Sequence, residues 1–395
     1  MASAVPTPSL RSLVFATYRT ALKAGAVHFT ETDAHNLSHN DINYQIRYAP
    51  NLLKKPSPKR EQSAAAAVAA PKFNPFLPPD PALYLTPILQ THYAVLNKFP
   101  VHAGHFVLAT ADFQPQPHPL TTADFAAVLA VLRSWHADAD PASAPAGGDD
   151  DPTTRESREH PCLYGFFNSG VNSGASQPHR HIQFLPLTAH HHSSLWATRM
   201  FAAPATVATT TDEGVGFGSV GGVEVRYQTR ISYKHYFSRI PAECTPEYLH
   251  RIYHTLLALA SHTLAHPTLS AAAVIEEVDA GAAAAGGVVV DRWPADEAVE
   301  FSYNMAFSKE WVGILPRTND TVYVLGREEE SGVVLDGVAV KCPGLNLNGT
   351  ILAGMMLLRT RREMDAVIND VGCIDRAVAE IGVPQSGAQK PSSSL

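Results

Sequence analysis

The chain has 395 residues, 45% of them hydrophobic and 17% charged, enough to bury a large core or two smaller ones. Its 30 basic and 37 acidic residues leave a net charge of −7, which excludes an overall basic footprint for nucleic acid; any phosphate must be gripped locally. Four cysteines (Cys162, Cys244, Cys342, Cys373) stand far apart and never as CxxC, against a disulfide framework or a cysteine-based zinc site, and no apolar run approaches the roughly 20 residues of a bilayer span. A soluble protein of a reducing compartment, cytoplasmic or also nuclear, is expected.

Leu10, Leu13, Val14, Tyr18, Ala21 and Leu22 recur at helical spacing, and Gly25 stands where a helix stops, so residues 1–30 read as an N-terminal helix. The same stretch carries Arg11, Arg19 and Lys23 with no acid before Glu31, the composition of a mitochondrial transit peptide; without an obvious cleavage site the helix is preferred. Four biased stretches break up the rest: a Lys/Pro/Ala run over 54–81, an acidic one over 137–159, a Thr/Gly-rich one over 203–222 and an Ala/Gly one over 279–290. Between them the patterning predicts a strand over 101–110, a helix over 121–136, and strands over 163–167 and 179–187. Farther on it predicts a strand over 223–233, a helix over 246–265, strands over 299–316 and 321–326, and a helix over 347–368. Without a regular βαβ beat, this is α+β with mainly antiparallel sheet.

Residues 164–187, YGFFNSGVNSGASQPHRHIQFLPL, carry the chemistry. A buried strand runs into a loop of Asn, Ser and Gly, which can aim successive amides at an anion or can simply be a turn. Along the following strand alternate side chains share a face, so His179, His181 and Gln183 project together and Arg180 points the other way. A neutral imidazole is a competent nucleophile, and its phosphoramidate stays reactive enough to pass the group on. HxH is also a zinc-ligand spacing, and His105 or the run His190 to His192 are candidate third ligands.

The HxHxQ strand behind NSGxNSGASQP resembles the galactose-1-phosphate uridylyltransferase branch of the histidine-triad superfamily, and within it the diadenosine tetraphosphate phosphorylases, also called ATP adenylyltransferases. NPFLPP (74–79), THYAVLNKFPV (91–101), FVLATADFQPQ (106–116), SYNMAFSKEW (302–311) and LNLNGTILAGMMLL (345–358) look like segments of that family in the right order. The resemblance implies a histidine-triad-like α+β fold of two pseudo-repeated halves, mainly antiparallel sheet flanked by helices. The halves are expected over 31–202, which is catalytic, and 223–382, which lacks the nucleophile, with a linker at 203–222 and a disordered tail at 383–395. YAVLNKFPV (93–101) and YNMAFSKEWVGI (303–314) offer an internal echo of such a repeat.

By the same resemblance His181 is the nucleophile that takes AMP from diadenosine tetraphosphate, releasing ATP, before phosphate carries the adenylyl group away as ADP. His179 sets the neighbouring geometry or bonds the phosphate, and Gln183 donates to a phosphate oxygen. Asn168, Gly174, Ala175, Ser176 and Gln177 line the phosphate channel. Lys98, Lys309 and Lys55 supply movable charge. Asn97, Ser302, Tyr303 and Asn304 contact nucleotide, although Tyr303 also reads as core. The implied partners are the dinucleoside polyphosphate, ATP, ADP and phosphate, with no nucleic acid or membrane, acting on a monomer. No covalent cofactor and no protein metal site are implied, and a divalent cation such as magnesium rides on the polyphosphate. Two alternatives stay open: a dinucleotide-binding sensor without turnover, and a sugar-1-phosphate nucleotidyltransferase, which the missing proline between the histidines disfavours.

Overall fold

The computed structural model describes residues 9–50, 74–137, 152–202, 214–287, 289, 292–325, 333–335, 338–340 and 344–385. Helix α1 (Leu10–Lys23) opens the chain, with Ser9 Oγ accepting the Ser12 amide at its N-terminus and Leu10, Val14, Phe15, Tyr18 and Ala21 buried on one face. A hairpin, β1 (Asp33–His39) and β2 (Ile42–Tyr48), follows. Then come β3 (Tyr84–Ile88), β4 (His92–Leu96), β5 (Phe106–Thr110), α2 (Thr122–His136), α3 (Pro152–Glu159), β6 (Cys162–Ser169) and β7 (His181–Leu187). Two short helices, α4 (Ala189–Ser194) and α5 (Trp196–Ala202), lead to β8 (Val215–Val220), β9 (Val223–Gln228), β10 (Tyr236–Arg239), α6 (Pro246–Ala265), α7 (Ala271–Ala284), β11 (Ser302–Phe307) and β12 (Trp311–Arg317). Short strands β13 (Thr321–Val322), β14 (Val333–Leu335), β15 (Val338–Val340) and β16 (Leu345–Asn346) precede β17 (Met355–Leu358), α8 (Arg361–Asn369) and α9 (Gly372–Val378).

Ten strands form one sheet in the order β3-β4-β5-β7-β6-β11-β12-β10-β9-β8. The antiparallel seam between β6 and β11 divides it into two five-stranded halves of the same connectivity. In each half a meander of three strands ends in a helix, α2 or α6, and a hairpin returns its second strand, β7 or β12, beside the third strand of the meander. This is the expected α+β architecture of two pseudo-repeats. The pairing of the repeats differs from the sequence echo, which matched β4 with β11: by connectivity β4 answers to β9, and β11 to β6. His181, first residue of β7, therefore corresponds to the buried Trp311, first residue of β12.

The two faces of the sheet bury separate cores. Ile182, Phe184, Tyr303 and Met305 pack under α1, α2 and α6, whereas Leu185, Leu187, Tyr164, Phe166 and Trp311 pack under β2, β17, α5, α8 and α9. The helical face is pinned at the start of α2, where Thr121 and Asp124 cap the helix reciprocally and the same Asp124 carboxylate accepts from Arg180 Nη1 (2.9 Å) and His92 Nε2 (3.0 Å). Burial pushes that carboxyl up, but the His92 bond and the Arg180 charge outweigh it and hold it below the usual range.

Several boundaries depart from the sequence reading. The strand expected over 299–316 is the β11–β12 hairpin, and that over 179–187 begins at His181. The helix expected over 347–368 is a 3-10 turn (Gly349–Ala353), then β17, then α8, because Gly354 sits at φ +68° and Met355–Leu358 lies parallel against β2, where its apolar side chains are buried. The last third of the expected linker 203–222 is β8, the sheet's edge, and α3 occupies the end of the acidic stretch. Residues 383–385 of the expected tail are tied to the segment between β9 and β10 through Val383 O, which accepts the Lys234 amide (2.7 Å), and the Gln385 amide, which donates to Ser232 O (3.0 Å); the remainder lies outside the described residues.

Candidate active site

His181 stands at the first position of β7, where the β6–β7 ladder ends with Phe166 opposite Gln183. Its Nδ1 donates to the backbone carbonyl of His179 (2.8 Å), which places the ring proton there and leaves Nε2 as a lone pair with no partner among the described residues. The ring is 5% exposed, and burial, only partly offset by that hydrogen bond, brings its pKa down to about 4. It is neutral across the physiological range. Phe76 lies against it, ring centroids 5.2 Å apart.

Gln183, two residues along β7, shares the face of His181. Its side chain is hydrogen-bonded to His105, a buried imidazole one residue before β5 whose pKa burial lowers to about 4. Asn97 orients that ring in turn: its Oδ1 accepts the Phe99 amide (2.9 Å), so its Nδ2 donates to His105 Nδ1 (3.1 Å). With Nδ1 accepting, a neutral His105 carries its proton on Nε2, and its hydrogen bond with Gln183 favours the protonated ring.

Of the two roles expected of His179, its geometry fits the setting of its neighbour and leaves its ring no free nitrogen for a phosphate. It precedes the strand and is fully buried, with both ring nitrogens spent on protein: Nε2 donates to Thr110 O (2.9 Å) and Nδ1 accepts from Asn74 (3.0 Å). What it offers His181 is its main-chain carbonyl. Arg180 faces the helices as expected.

The loop from Gly170 to Pro178 packs on two supports. The Asn172 amide donates to Ser302 Oγ (3.0 Å), and Asn304 Nδ2 donates to both Ser173 O and Asn168 Oδ1 (2.8 Å each). Asn304 is itself clamped by Arg317, a buried guanidinium whose pKa burial lowers to about 10. Gly174 adopts φ +79°, and a Cβ there would fall 2.8 Å from Leu347 O. The amides of Gly174, Ser176 and Gln177 have no partner among the described residues, and Ala175 and Ser176 are exposed. Asn168 accepts the Gly349 amide as well (2.9 Å). Asn168, Ser302 and Asn304 thus hold the loop's frame, the Ala175 amide donates to Ser173 Oγ (3.3 Å), and Gly174, Ser176 and Gln177 keep unpartnered donors in the loop that leads into His181.

Tyr303 is on the other side of the sheet, in the helical core with its hydroxyl on Tyr253 (2.5 Å), as expected of core and not of a nucleotide contact. Lys309 is exposed in the β11–β12 turn, five residues past Asn304, about 16 Å along the strand at the usual rise. It acts electrostatically on His136 and His192, so the structure does not bring it to His181. Lys98 is exposed one residue beyond Asn97, and Lys55 lies outside the described residues. Among the described residues no group of three or more His, Cys, Asp or Glu side chains could hold a metal ion, so the zinc reading of HxH finds no third ligand there.

Sequence reasoning missed Asn74, Phe76, Gln116 and Arg317. The first three lie in segments that had already been picked out, NPFLPP and FVLATADFQPQ, but residue type alone did not single them out. Arg317 carried no signal: Arg239 ends β10 in the same way.

The chain matches two families: the Ap4A phosphorylase N-terminal domain over residues 2–139 and 158–200, and the ATP adenylyltransferase C-terminal domain over residues 229–384. It is similar to diadenosine 5',5'''-P1,P4-tetraphosphate phosphorylase 2 of Saccharomyces cerevisiae, at 24% identity over 97% of this chain and 98% of that protein. Protein APA1 of the same yeast is 22% identical over 97% of each. The crystal structure of yeast Ap4A phosphorylase Apa2, solved also in complex with Ap4A, superposes with a TM-score of 0.64 at 20% identity, covering 96% of this chain and 99% of that one.

Proposed function

We infer the function from the premise these matches supply: the chain belongs to the Ap4A phosphorylase and ATP adenylyltransferase family. It is a nucleotidyltransferase that phosphorolyses diadenosine tetraphosphate to ATP and ADP. The observation that carries the chemistry is the unpartnered Nε2 of a neutral His181 beside a loop of free amides.

In our reading Nε2 attacks the α-phosphorus of one adenylate, the bond to the bridging oxygen breaks, and ATP departs with the electron pair. AMP stays on the imidazole as a phosphoramidate. The ring becomes cationic as the bond forms, so its Nδ1–H bond to the His179 carbonyl strengthens in the transition state relative to the ground state. The amino group of Gln183 and the amides of Gly174, Ser176 and Gln177 receive the phosphate oxygens. A polyphosphate leaving group needs little protonation, which suits an amide at position 183 in place of an acid. Inorganic phosphate then attacks the adenylyl group, the P–N bond breaks, and ADP forms. Magnesium carried on the polyphosphate supplies charge neutralisation as part of the substrate. Asn97, which holds His105 against Gln183, and the exposed Lys98 beside it are assigned to ribose or phosphate in this reading, and one chain suffices for the site.

The test is chromatographic: protein with diadenosine tetraphosphate and magnesium, with and without phosphate, products followed over time. Equal ATP and ADP appearing only with phosphate is the expected result. AMP plus ATP, or symmetric ADP, without phosphate would make the protein a hydrolase, and no products would return it to a sensor.

A further inference from the structure

The structure assigns a role to Gln116: we propose that it is the positioning residue that sets the nucleophile, holding the main chain of His181 and the gap between that histidine and the phosphate loop. The proposal rests on the reading of His181 as the adenylyl acceptor. β6 and β7 pair directly from Cys162 opposite Leu187 to Phe166 opposite Gln183, and the same register would next bring Asn168 against His181. The side chain of Gln116 takes that place. Its Oε1 accepts the His181 amide (2.8 Å), and its Nε2 donates to Asn168 O (2.8 Å) and His181 O (3.3 Å). It is 2% exposed.

One amide thus replaces the missing backbone pair and keeps the two strand ends apart by its own width. The separation falls where β6 leaves for the loop of free amides and β7 begins with the nucleophile, so it sets the space a phosphoryl group enters. Gln116 is anchored on both sides: its own amide donates to Pro178 O (2.8 Å), Pro115 bridges His179, and Gln114 O accepts the Arg180 amide (2.7 Å). Residues 114–116 run as a strap along 178–180, the stretch whose turn brings the His179 carbonyl under His181 Nδ1. A glutamine fits because it offers an acceptor and two donors on one planar head; a carboxylate offers only acceptors, and an apolar residue leaves the His181 amide and Asn168 carbonyl buried without partners.

Two variants of the full chain test this, each checked for folding by circular dichroism. Gln116→Ala should lower kcat about 30- to 100-fold, the scale of a misplacement near 1 Å, with KM held within about threefold because Gln116 does not reach the substrate. In 15N-histidine spectra, which need no turnover, His181 should pass from a single Nδ1–H tautomer to a mixture. Gln116→Glu adds a pH signature. As carboxylate near pH 9 it can only accept, and as buried carboxylic acid near pH 6.5 it accepts from His181 and donates to Asn168, so its rate relative to wild type should rise about tenfold on that descent. If Gln116→Ala does not fold, this ratio still decides. A wild-type kcat in a folded Gln116→Ala, an unchanged tautomer, a loss expressed in KM alone, or a pH-independent ratio for Gln116→Glu would overturn the proposal. A wild-type chain that makes no ATP and ADP from the dinucleotide and phosphate would remove the functional reading and this role with it.

Discussion

Acid should unfold this protein well above the range where its carboxylates titrate. His105, His181 and His235 are each at most 7% exposed, and burial lowers each to a pKa of about 4 from the usual 6.5. In the unfolded chain each takes up a proton as pH falls through about 6.5, whereas the folded chain leaves all three neutral until about 4. The unfolded state therefore binds more protons throughout that window, and stability is lost as pH drops. At about 1.4 kcal/mol per pH unit for each group, lowering the pH from about 6.5 to 5 costs about 2 kcal/mol apiece and about 6 for the three, a large part of a typical domain's 5–15 kcal/mol. Urea unfolding at closely spaced pH values measures this directly, with the m-value as a check that the transition itself is unchanged. The window above about pH 5 is the informative one, since unperturbed carboxylates in the unfolded chain are still ionised there. Proton uptake on unfolding of at least about three is expected, because burial lowers His102 and His191 in the same direction; uptake below about one would refute the claim that these rings are buried and neutral.

The same neutrality makes the chemistry insensitive to mild acid: kcat at about pH 6 should stay within about twofold of its value at 7.5, and an inflection near 6.5 would mean that His181 titrates as an exposed histidine. His181→Asn should abolish ATP formation while leaving the melting temperature within a few degrees, read by scanning calorimetry alongside the chromatographic assay. Asn304→Leu removes one hydrogen-bond partner each from Arg317, Asn168 and Ser173, so it should destabilise by about 2–4 kcal/mol in chemical denaturation, more than an ordinary surface change. His105→Phe should cost about tenfold in kcat by releasing the Gln183 amide to flip, and Lys309→Ala, far along the sheet, should leave kcat and KM within about twofold in the same steady-state assay.

Sequence alone determined the parts that depend on near neighbours. Helices α1, α2 and α6 follow from apolar periodicity and their caps, and the strand that carries His181 follows from HxHxQ behind a loop of small polar residues, because period and turn chemistry are written within a few residues of each other. The face shared by His181 and Gln183 follows from strand alternation in the same way. Only the tertiary structure decided which groups are free. His179 and His181 look alike in HRH, yet Asn74 and Thr110, about 70 to 105 positions away, consume the ring of one and leave Nε2 of the other open. Gln116, His105 and Arg317 acquire their roles from strands that meet across the sheet, and Lys309, which the local motif favours, is carried to the far end by the β11–β12 turn. Local patterning records what a residue can do; the hydrogen bonds that remain after distant segments have taken theirs determine what it is left to do.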